Sequence, residues 1–346
     1  MFRNTNLCNP NFRSKKSLNH LIICCWLNTS CQTKWRGKKI LLPEISKEII
    51  QMGKKDQKYR MKWRELNTKG EKGTEKYNKV TRKLIEIDRS NTARMEEIID
   101  EHGWPTYAKV GEEASNAAWL IVQHADRNPF FQEKSLLLLG EEVDRGQINP
   151  SNYAYLYDRV QIARGEKQRY GTQSTTNHNV NSKTAGFQPI EDESNVQKRR
   201  EAMNIQQHIE HYALSLNFHY TIPSEAEALE IEKKLKAFYE WNVKKAKETM
   251  NNNNYKAAVN FYRNALSCYG HISSEDFVEA ARAMSLSKDK EVGLATFYLL
   301  NAAFKGYDDI TKIDSNPDFK FLKEENLDFW KNDLMRTIKK HGGNGN

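Results

Sequence analysis

The sequence predicts a mainly α protein: a helical N-terminal domain with a small β-hairpin, then a C-terminal α-hairpin repeat domain. Three observations predict it. Apolar residues recur at helical spacing over long stretches, as in Val80, Leu84, Ile87, Met95, Ile98 and Ile99. Asn-Pro steps at Asn128-Pro129, Asn149-Pro150 and Asn316-Pro317 read as helix starts. Asn accepts bonds from free backbone N–H groups, and Pro fits the first turn because it has no N–H to leave unpaired. Around residues 168–189 the helical stripe gives way to Thr, Tyr, Asn and Gly.

Taken in order, the first 31 residues have the parts of an export signal. Arg13, Lys15 and Lys16 precede a short apolar core, Leu21 to Leu27, and small residues precede Cys31. The stretch resembles a bacterial lipoprotein signal in a loose form, with Asn28 where Leu usually stands. That resemblance implies a signal peptide over 1–30, Cys31 as the lipidated first mature residue and a tether over 31–43. The expected location is the cell envelope, with membrane contact only through the lipid anchor. If the N-terminus is not a signal, the alternative is the cytoplasm.

From Pro43 to Arg64 the pattern is helical, with Ile45, Ile49, Ile50, Gln57 and Met61 near one stripe. A polar break, "NTKGEKGTEK", leads to a long helix over 75–101, closed by His102-Gly103 and Pro105. Residues 114–125 form a helix apolar on most sides, hence buried. The Asn-Pro steps open helices over 129–145 and 150–164, the second stopped by Gly165. Two short strands are expected near 168–173 and 186–189, and "NVQKRREAMNIQQHIEHYALSL" returns to helix.

A boundary near Asn217 to Pro223 divides a domain over 44–215 from one over 220–340. Ser224 and Glu227 form a capping-box pattern at its start. Ala258, Tyr262 and Ala265 recur as Ala295, Leu299 and Ala302, 37 residues later. The stretch 235–307 resembles degenerate tetratricopeptide-type repeats, which implies a protein or peptide partner there.

Composition excludes some classes. Net charge is +9, yet Lys and Arg alternate with Glu and Asp, as in "RKLIEIDRS". Such mixing describes solvated helix faces, and no aromatic-basic module appears, so no nucleic-acid partner is expected. Of five cysteines, Cys8, Cys24, Cys25 and Cys31 lie in the N-terminal segment, leaving Cys268 alone in the body. No disulfide framework or Cys-based metal pair follows. Neither HExxH nor a phosphate-cradling glycine loop occurs, so no metal and no cofactor are expected.

Six motifs fall in order along the first domain: "DQKYR", "NTARMEEIIDEHGWPT", "GEEASNAAWLIVQHAD", "YLYDRV", "QRYGTQ" and "PIEDESNVQKRR". Together they resemble the bacterial domain of unknown function 6624 family over residues 44–212. The resemblance implies a shared fold and no particular activity.

The same motifs hold the candidate site. The buried helix ends in Gln123, His124 and Asp126, and a carboxylate at a helix C-terminus needs a donor. Arg159, Arg60 or His102 is expected to supply it. His102 and His124 are candidates for general acid or base, oriented by Asp126 or Asp158. Asp56, Arg60, Gln123, Arg159 and Gln168 would line a ligand pocket, with Trp104 and Tyr170 as its walls. The leading expectation is a ligand-binding envelope lipoprotein with a partner on its repeats. One alternative is a hydrolase or transferase using a His–Asp pair, which would bring His102 and His124 together. A second is a purely structural polar network.

Overall fold

A computed structural model describes residues 39–176, 185–289, 291–307 and 309–341. The expected signal peptide, its Cys31 and most of the tether lie outside the described residues. Residues from Lys39 onward cluster as one compact unit.

The chain is mainly α. The N-terminal part contains α1 (Pro43–Thr68), α2 (Glu75–His102), α3 (Tyr107–Val110), α4 (Glu112–Gln123), α5 (Pro129–Val143) and α6 (Pro150–Ala163). After the hairpin come α7 (Val196–Ala202) and α8 (Ile209–Ser215). Two of the Asn-Pro steps open α-helices: Asn128 accepts from the Phe131 N–H at 3.1 Å, and Asn149 from the Ser151 N–H at 3.1 Å. The third, Asn316-Pro317, opens only a short 3-10 turn, Pro317–Phe319.

The hairpin is present, but its first strand lies later than expected. Its strands are β1 (Ser174–Thr176) and β2 (Ala185–Phe187), antiparallel, with Ser174 opposite Phe187. Residues 168–173 form a loop instead, because the amides of Arg169, Tyr170 and Thr172 bond the buried Asp158 carboxylate, and only Gln168 makes a bridge, to Ile190.

The remaining chain forms α9 (Glu225–Asn251), α10 (Tyr255–Leu266), α11 (Ser274–Leu286), α12 (Val292–Phe304), α13 (Lys320–Glu325), α14 (Leu327–Phe329) and α15 (Met335–His341). The π-turn Trp330–Leu334 joins the last two. Ser224 and Glu227 complete the capping box at the start of α9. Helices α9 and α10 pack together, as do α11 and α12. The six recurring residues from Ala258 to Ala302 are all buried between them.

Two large cores result. One gathers Met95, Ile98, Trp104, Trp119 and Phe131, and the other Tyr262, Phe277, Leu299 and Trp330. Phe304 of α12 belongs to the first core, where it meets Phe130 edge to face.

Helix α1 sets up the site. Its buried residues are Ser46, Ile49, Gly53, Asp56 and Leu66. Met61, expected on the apolar stripe, is exposed. Gly53 lets α1 lie close on α4: a Cβ there would stand 3.0 Å from that of Ala117. This close approach brings Asp56, one turn on, to the end of α4.

Candidate functional site

Helix α4 stops at Gln123, and His124 takes a bridge-region conformation (φ −94°, ψ 0°). The turn sends His124 and Asp126 to different partners. His124 Nδ1 lies 3.2 and 3.1 Å from the two carboxylate oxygens of Asp56. Asp126 accepts from Arg159 at 2.7 Å, one of the donors expected for it. Its carboxylate is half exposed.

Asp56 is 1% exposed. It also accepts from Gln57 at 2.7 Å and from Arg60 at 2.9 Å. The other end of the Arg60 guanidinium holds Asp88 of α2 at 2.6 Å. A chain of alternating partners therefore runs His124–Asp56–Arg60–Asp88.

Environment sets the protonation of these groups. Burial pushes His124 below its ordinary value, although Asp56 works against the shift. Burial disfavours the Asp56 charge too, but the His124 hydrogen bond and the Arg60 guanidinium hold it below the usual carboxylate range. Asp88 goes the other way. Burial pushes it up to about 7, repulsion from Asp56 and Asp126 adds to this, and Arg60 opposes it. At neutral pH the array pairs a neutral imidazole with a carboxyl poised to gain or lose a proton.

His124 and Asp88 both line one cleft of about 70 Å³. That is room for a few waters or one small polyatomic group. One wall comes from α2 and the turn after α4, and the opposite wall comes from Asn332 to His341. Asp333 fastens the two: it is 5% exposed and accepts from both Arg89, at 2.8 Å, and Arg127. Arg127 also covers the ring of Phe329, 4.3 Å from its centroid.

The other expected site residues lie elsewhere. Asp158, expected to orient an imidazole, is fully buried. It accepts from the amides of Arg169, Tyr170 and Thr172 and from the Thr172 hydroxyl. Burial raises its pKa against those four bonds. Gln168 clasps the same loop, donating to the Gln173 and Gln188 carbonyls and accepting from the Gln173 amide. Arg200, also fully buried, donates to the Tyr170 and Gln207 carbonyls. Gly171 turns the loop at φ +62°, where a Cβ would meet Ile209 at 2.5 Å. The "YDRV", "QRYGTQ" and "QKRR" motifs thus build a folded loop around one carboxylate and one guanidinium.

Trp104 and Tyr170, expected as pocket walls, are 2% and 4% exposed and pack within cores. His102 sits at the far end of α2, fourteen residues past Asp88, or roughly 20 Å along a helix, so the meeting of His102 with His124 expected of a hydrolase or transferase does not occur, and any acid–base pair must be a different one. Its Nε2 faces Glu101 at 3.5 Å. Gln123 donates weakly to the Tyr155 carbonyl, and its own oxygen is buried without a partner among the described residues.

Sequence reasoning missed Asp88, Arg127, Asp333 and the C-terminal wall. One signal was present for Asp88. It stands beside Leu84, Ile87, Asn91 and Met95, all buried, so it is an acid on the inward stripe of α2.

Comparison with known proteins gives one match. The model of a family of unknown function (DUF6624) matches residues 43–223. No curated protein and no solved structure matches the chain.

Proposed function

Since the chain belongs to the DUF6624 family, whose matched region holds the whole His124–Asp56–Arg60–Asp88 array, we propose that this region is the acid–base centre of a cell-envelope hydrolase or transferase. His124 is the base. With Nδ1 donating to Asp56, its Nε2 takes the proton of a water or hydroxyl nucleophile. Asp88, in its protonated form, donates to the leaving group. Arg60 holds Asp56 and Asp88 in place and is not itself a reactant.

The observation that carries this reading is the geometry at Nδ1. A carboxylate 1% exposed meets it with both oxygens, on an imidazole that lines a cleft. A buried anion there fixes the ring and stabilises the imidazolium as it forms. Asp88, pushed up to about 7 by burial, supplies a carboxyl able to donate a proton at neutral pH.

The test is a turnover screen of the full chain against carboxylic esters, amides, phosphate esters and glycosides, with His124→Ala, Asp56→Asn and Asp88→Asn in parallel. Turnover of one class should fall by at least about 100-fold in His124→Ala. Turnover untouched by that change, or a ligand that stabilises the protein and is never converted, sinks the reading. The second outcome would favour a binding protein.

A partner on residues 235–307 is a separate proposal, favoured by the aromatic side chains left outward on α9. Phe238 and Trp241 are about half exposed, and Trp241 meets Phe261 edge to face. A photo-crosslinking residue at position 241 should give one discrete protein adduct in cells, lost on Phe238→Ser. The envelope assignment is tested by fatty-acid labelling, which Cys31→Ser should abolish. A wild-type chain that takes up no label would point to the cytoplasm.

A further inference from the structure

The C-terminal wall of the cleft has a charge that no other group among the described residues uses. The three carboxylates lining the cleft are all engaged. Asp88 holds Arg60, Glu96 accepts from Lys340 at 2.9 Å, and Asp333 holds Arg89 and Arg127. Three of the four lining cations are thereby committed. The fourth, Arg336, is exposed and has no hydrogen bond or ion pair among the described residues.

A second unused group stands on the same helix. His341 lies flat on the ring of Phe130, with centroids 4.5 Å apart and planes 4° from parallel. Its Nε2 is buried and has no partner among the described residues. A buried polar atom without a partner costs free energy unless something fills its place. A guanidinium fork and an imidazole N–H both ask for oxygen acceptors, and a charged oxyanion satisfies both best.

We propose that Arg336 and His341 form an oxyanion-recognition subsite, taking the phosphate or carboxylate end of the substrate whose reacting bond lies at His124. This deepens the acid–base reading and rests on it for the word substrate, while the anion site itself stands on the C-terminal helix alone. It makes residues 336–341, outside the family match, the part that selects the substrate class.

The experiment is isothermal titration of the full chain with inorganic phosphate and with acetate, at ionic strength held constant with potassium chloride. Wild type should bind at least one of the two. Binding of phosphate alone assigns a phosphorylated substrate, acetate alone a carboxylate, and both a general oxyanion. Arg336→Gln should weaken binding about tenfold or more. His341→Phe, which keeps the stack on Phe130 and removes the nitrogen, should also weaken it. Neither side chain carries a hydrogen bond among the described residues, so melting temperatures should stay close to wild type. His124→Ala should still bind the anion. If that variant binds while no turnover is found for any protein, the acid–base reading fails and the subsite stands. No binding by wild type, or unchanged binding in Arg336→Gln, overturns the subsite.

Discussion

His124 and Asp56, 68 residues apart, meet with Nδ1 3.1 and 3.2 Å from the two carboxylate oxygens. Asp56 is the hub of this region, since Arg60 and Gln57 bond the same group. Asp56→Ala strands a buried imidazole and one end of a guanidinium. It should lower unfolding free energy by about 3–5 kcal/mol, read from urea denaturation. Asp56→Asn keeps an acceptor and should cost clearly less. A loss below about 1 kcal/mol in Asp56→Ala would mean the pair carries no structural load.

Asp88 makes a prediction about pH. Its folded-state pKa is raised from 3.8 to about 7. Protonation therefore favours the fold: the contribution is fully present below about 4 and is lost as pH rises through about 7. His124 works the other way. Its folded pKa is depressed, so its contribution is present above the ordinary imidazole value and is lost on acidification. Asp88→Asn removes only the first dependence. Its urea midpoint at pH 8 should equal or exceed that of wild type, and the difference should shrink toward pH 4. An equal difference at both pH values would place Asp88 in the ordinary carboxylate range.

The loop around Asp158 should depend on that one carboxylate. Three amides and a hydroxyl bond it, and no water-facing substitute exists at 0% exposure. Asp158→Ala should cost about 3 kcal/mol or more. Hydrogen exchange should quicken first at Arg169, Tyr170 and Thr172. If those amides stay protected, the loop is held by Gln168 and Arg200 instead.

Asp333 ties the last helical segment to α2 and the turn after α4. Asp333→Ala leaves Arg89 with its exposed Asp328 contact alone and Arg127 with only its ring contacts. Exchange over 327–341 should rise while that of α9 to α11 stays unchanged. Stability should fall by about 2–4 kcal/mol. Unchanged protection over 327–341 would show that Phe329 and Trp330, each 1% exposed, hold the segment by packing alone.

Local signals in the sequence located most of the helices. The Asn128-Pro129 and Asn149-Pro150 steps and the Ser224–Glu227 box act over three residues, and each appears as read. The first strand was misplaced because the amides of Arg169, Tyr170 and Thr172 bond Asp158, eleven to fourteen residues back, which no strand pattern reveals. His124 was identified but its partner was not. Asp126 is two residues away, whereas Asp56 reaches it only because Gly53 lets two helices touch. Trp104 and Tyr170 show a related limit: an aromatic residue in a motif suits a pocket wall or a core equally well, and burial alone separates them.

The cleft also has an order of assembly. Arg89 and Arg127 precede Asp333 by 244 and 206 residues, and Lys340 follows Glu96 by 244. Contacts of such separation close late, after local helices have formed. On the ribosome, α1, α2 and α4 emerge with His124 and Asp56 able to meet well before the opposing wall, Asn332 to His341, has been made. Until then, the imidazole stands open to bulk solvent. The centre is therefore completed only once that wall has followed, and a chain cut short before Asp333 would carry the dyad without its enclosure.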